Sequence, residues 1–148
     1  MVVVVVQFQI RQEGSLNQQP ALTAEMADLA ILRKYASKDP ASFPTSVLFS
    51  HTDISLTIFD LYPKSESFHF LLLPRLVPPL TEVNSASLKA LLKWDKVQAR
   101  ACLEGLAKDA EDIRAMIKEE MVKRFGFEWP IFTGFHAVRN VSCLSVCN

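Results

Sequence analysis

The chain has 148 residues, 49% of them hydrophobic, so it is long enough to bury the core of one domain. Sixteen basic residues balance sixteen acidic ones. This neutrality weakens a nucleic-acid hypothesis, although a local basic rim would remain compatible with one. The opening MVVVVVQFQI lacks the basic start and cleavage site of a secretion signal. No segment approaches the roughly 20 apolar residues of a membrane helix. We therefore expect an intracellular protein without membrane segments, whose three cysteines are reduced.

Residues 1–39 are predicted to form an N-terminal extension with one helix. The valine run at 2–6 suits a short strand, but we favour a weakly ordered or accessory segment. The stretch PALTAEMADLAILRKYA, which begins at Pro20, repeats apolar residues at steps of three and four and predicts the helix. A Ser-, Pro- and Asp-rich link follows, and the main domain is predicted to span 40–148.

The main domain opens with three predicted strands, VLFSHTD (47–53), ISLTIFDLY (54–62) and FHFLLLPR (68–75). They are rich in β-branched and aromatic residues, and turn-forming residues separate them. An antiparallel meander is the simplest arrangement of such strands.

Two helices and a fourth strand follow. Asn84 and Ser85 are expected to cap the short helix SLKALLKW. A long helix is predicted from Asp95 to Gly126, because its apolar residues form one stripe: Leu103, Leu106, Ala110, Ile113, Ile117 and Met121. EWPIFTGFHAV then predicts a strand. Together, these strands and helices predict an α+β domain, in which helices pack on one face of an antiparallel sheet. The final strand of this sheet is expected to be incomplete.

Few residues are candidates for chemistry. Asp60 follows an apolar strand and is either a solvated strand-end acid or an acceptor for ligand hydroxyls. Lys64 is either solvated or reaches a phosphate. His69 and His136 have apolar neighbours, which is more typical of core histidines than of catalysts. No histidine pair has the spacing of a metal site.

The C-terminal cysteines do not form a recognisable zinc site either. Cys143 and Cys147 are four residues apart, which is not a CxxC spacing, and two ligands are too few for structural zinc. On a strand, Cys143, Ser145 and Cys147 would share one face.

Two segments carry a family resemblance. DLYPKSESFHFLLLPR (60–75) resembles the strand–turn–strand pattern of the histidine-triad (HIT) superfamily, and GFHAV (134–138) is similar to the approach to its active strand. The form is closest to the aprataxin-like members, over residues 40–138. The resemblance implies a HIT-like fold and a nuclear DNA-repair hydrolase that removes adenylate from 5′-adenylated DNA ends through a covalent nucleotidyl-histidine. The implied partner is an adenine nucleotide or an adenylated DNA end. The resemblance implies no cofactor.

The resemblance also implies roles for individual residues. The nucleotide-binding positions would be Ile58, Asp60, Leu61 and Lys64. Asp60 would hold the ribose hydroxyls and Lys64 would lie near phosphates. His69 and His136 would support the site from the sheet.

The chain departs from the family pattern after Val138. The family continues through Pro-Ser-Met-Ser into His-x-His-x-His and later a zinc finger, and this chain has neither. The triad positions fall on Cys143, Ser145 and Cys147. Removing the nucleophile from such a constellation costs on the order of 10⁴ to 10⁶ in rate. We therefore expect a catalytically defective chain with no catalytic residue at these positions.

Three explanations remain open from the sequence. The break at Val138 is abrupt, which favours an altered transcript or gene model of a DNA deadenylase over gradual divergence. Alternatively, the protein is non-catalytic and binds nucleotides or a partner through Asp60 and Lys64. A hydrolase that uses Cys143 or Cys147 as nucleophile is the least favoured, because no histidine is close in sequence.

Overall fold

The computed structural model describes residues 1–8, 30–60 and 69–135, which form helices packed on a five-stranded antiparallel sheet. The strands are β1 (Val4–Phe8), β2 (Leu48–His51), β3 (Ser55–Phe59), β4 (His69–Pro74) and β5 (Ile131–Phe135). Their order in the sheet is β2-β3-β4-β1-β5. The helices are α1 (described over 30–36), α2 (Glu82–Ser85), α3 (Leu88–Lys93) and α4 (Lys96–Phe125). This architecture confirms the predicted α+β class, with the sheet left open at its last strand.

Strand β1 lies inside the sheet, between β4 and β5. Val6, for example, is opposite Phe70 of β4 and Thr133 of β5. The expectation of a weakly ordered or accessory segment is therefore wrong for residues 4–8. A strand covered on both faces needs apolar side chains at successive positions rather than alternation, and the valine run meets that requirement. The sheet thus draws on residues from both sides of the boundary predicted at residue 40.

Strands β2, β3 and β4 form the predicted meander. The turn between β2 and β3 contains Thr52 and Asp53, as expected. On one face of the meander the rings of Phe49, Phe59 and Phe70 contact one another, with centroid separations of 4.6 to 5.7 Å. This aromatic contact holds the three strands together where β3 ends.

Helix α4 covers the same face of the sheet. It begins at the N-cap Asp95, whose Oδ1 accepts hydrogen bonds from the N–H groups of Val97 and Gln98. It ends at Gly126, which has the left-handed conformation (φ 80°) that glycine adopts without strain. The predicted stripe is largely confirmed, and the buried residues of α4 are Ala99, Leu106, Asp109, Ala110, Ile113, Ile117 and Met121. None of the described helices is long and apolar enough to cross a lipid bilayer.

The short helices are capped differently from the prediction. Asn84 and Ser85 lie within α2, which Thr81 caps by accepting the N–H of Asn84. The cap of α3 is Ser87, whose hydroxyl accepts the N–H of Ala90. Asn84 and Ser85 therefore do not cap the predicted helix, because a separate turn of helix comes first.

The opposite face of the sheet carries a second core. Val3, Ile58, Leu71 and Leu73 are buried there together with Ala36 of α1. The helix predicted from Pro20 is confirmed over 30–36. The sheet is thus packed on both faces, by α4 on one and by α1 on the other.

Candidate functional site

Asp60 and His69 meet where β3 ends and β4 begins. The antiparallel pairing of Phe59 with Phe70 continues by one position, so Asp60 lies opposite His69. The N–H of Asp60 donates to the carbonyl oxygen of His69 over 3.1 Å. Asp60 Oδ2 lies 2.6 Å from His69 Nδ1. A carboxylate and an imidazole are thereby held in contact by the strand register itself.

This pair lies on the face of the sheet opposite α4. Side chains alternate along a strand, so Asp60 shares its face with Ile58, and His69 shares its face with Leu71. The side chain of Asp60 is 15% exposed and that of His69 is 6% exposed. Ile58, on the same face, is fully buried. The site therefore combines an apolar floor with a carboxylate that still reaches solvent.

The contact orients both groups. The two atoms are 2.6 Å apart, but their contact does not have the geometry of a hydrogen bond. A proton on Nδ1 would make the contact attractive whether the imidazole is neutral or cationic, because the carboxylate is an acceptor. A carboxylate has two oxygens and can accept hydrogen bonds from several donors at once. Such a group can accept hydrogen bonds from ligand hydroxyls.

The structure brings together only some of the residues singled out from the sequence. Ile58, Asp60 and His69 belong to one face at one end of the meander. Six candidates lie outside the described residues: Leu61, Lys64, His136, Cys143, Ser145 and Cys147. Over 1–8, 30–60 and 69–135, no three His, Cys, Asp or Glu residues form a group that could hold a metal ion.

The direct contact between Asp60 and His69 is not among the predictions from the sequence, in which the two residues have separate roles. The sequence signal that could have predicted this contact is the meander of β3 and β4. An antiparallel pair brings the last residue of one strand next to the first residue of the following strand.

Cys102 is the free thiol of the described part of the chain. It lies on α4, as expected, and is half-buried. Burial raises the pKa of its thiol, so the thiolate fraction at neutral pH is low. Cys102 has the character of a packing residue rather than a nucleophile.

A groove of about 550 Å³ lies between α4 and β5. Its lining includes Leu103, Ala107 and Ala110 of α4 and the whole of β5, and it contains none of the predicted site residues. The groove is not predictable from local sequence patterns, because it depends on how the last strand meets the long helix. The two exposed phenylalanines of β5, Phe132 and Phe135, were the available signal.

Comparison with known proteins gives no match. No family model, curated protein or solved structure matches this chain. The resemblance to the histidine-triad superfamily stays a prediction, and it rests on the sequence segments 60–75 and 134–138 alone.

Proposed function

We propose that this chain is an aprataxin-like, HIT-type domain that binds an adenine nucleotide or an adenylated DNA end without hydrolysing it. The observation that carries the proposal is the Asp60–His69 contact of 2.6 Å at the end of β3. The family resemblance expects a ribose-binding acid at Asp60, and the geometry supplies an oriented carboxylate there. The nuclear location implied by the resemblance belongs to the same proposal.

Binding follows from the donor and acceptor character of the groups. The two hydroxyls of a ribose are donors, and the carboxylate of Asp60 accepts hydrogen bonds. His69 fixes the direction of that carboxylate, so little side-chain freedom is lost when a ligand binds. Hydrogen bonds to a charged group contribute about 1.5 to 3 kcal/mol each. Ile58 and Leu71, on the same face of the sheet, are both buried in the core.

The absence of turnover follows from the sequence at the expected triad. Attack on an α-phosphate in this family requires an imidazole nucleophile, whereas the chain has Cys143, Ser145 and Cys147 at those positions. The described thiol, Cys102, does not replace it, because burial raises its pKa and keeps it protonated.

The test measures AMP binding by calorimetry with wild-type protein, Asp60→Asn and the matched control Asp53→Asn. Asp53 is an exposed acid in the β2–β3 turn, so its substitution removes one charge without touching the site. We expect Asp60→Asn to weaken binding about 10- to 100-fold, the equivalent of one charge-assisted hydrogen bond. Asp53→Asn should bind like wild type, and wild type should release no AMP from adenylated nicked DNA.

Each outcome addresses one part of the proposal. Folded wild-type protein that does not bind AMP would contradict nucleotide binding and favour the alternative, a non-catalytic interaction protein. Equal loss in the two variants would show that the site is not at Asp60. Efficient deadenylation of nicked DNA would show that the chain has a nucleophile despite its missing histidines.

A further inference from the structure

We draw no further inference here: the strongest candidate, the apolar groove between α4 and the edge strand β5, carries none, because nothing in the described residues shows what covers it.

Discussion

Asp109 should be a major contributor to stability, although it is a charged residue. Its side chain is buried on α4, where Oδ2 accepts hydrogen bonds from Ser55 Oγ at 2.6 Å and Thr52 Oγ1 at 2.8 Å. These bonds attach the β2–β3 turn to the long helix. Replacing Asp109 with Ala removes the acceptor from both hydroxyls.

The expected loss can be worked from these contacts. Two hydrogen bonds to a charged acceptor contribute about 3 to 6 kcal/mol together. Part of this is recovered, because Thr52 Oγ1 and Ser55 Oγ are 3.2 Å apart and can bond to each other. Alanine also favours helix over aspartate by roughly 0.5 kcal/mol. We therefore expect Asp109→Ala to lower the free energy of unfolding by about 2 to 4 kcal/mol.

Urea unfolding followed by circular dichroism measures this loss, with Asp112→Ala as the matched control. Asp112 is exposed on the same helix, so its substitution has the same effect on helix propensity and should change stability by less than about 0.5 kcal/mol. If the two variants differ by less than about 0.5 kcal/mol, the contacts of Asp109 do not stabilise the fold and the reasoning is wrong.

Two further predictions concern α4. Met121→Ala should lower the free energy of unfolding by about 2 to 5 kcal/mol, because Met121 is fully buried. Met116 is 42% exposed, so Met116→Ala should lower the free energy of unfolding far less in the same urea titration. Equal losses of stability in the two variants would contradict the assigned orientation of the helix. In a chain with Cys143 and Cys147 replaced by Ser, iodoacetamide at pH 8 should alkylate Cys102 more slowly in the native state than in urea. The raised pKa and half-burial both oppose the reaction, so equal rates would exclude protection by the fold.

Local patterns in the sequence predicted most elements correctly. The meander, the long helix and β5 were found because each carries its own periodicity and turn or cap residues. Thr81 and Ser87 show the limit of this reasoning, since several polar residues compete as caps and only the backbone path selects among them. Strand β1 was misjudged because both of its partners are distant in sequence and a run of valines has no alternation to reveal a face.

The candidate site was predictable in part. An acid after an apolar strand was enough to select Asp60, and the apolar neighbours of His69 indicated a buried histidine. Their contact required the strand register, which no single segment contains. The groove beside β5 was out of reach for the same reason, because Leu103 and Phe135 approach each other only in the folded chain.

The central position of β1 also has a consequence for how the molecule folds. Val6 must find Phe70 on one side and Thr133 on the other, and β5 joins the rest of the sheet through β1. Contacts between such distant residues require large loops to close first, which slows folding. During synthesis the valine run is made long before either partner, and an unpaired apolar strand without charges is prone to aggregate. The strand that completes the sheet is therefore also the segment that most needs protection while the chain is being made.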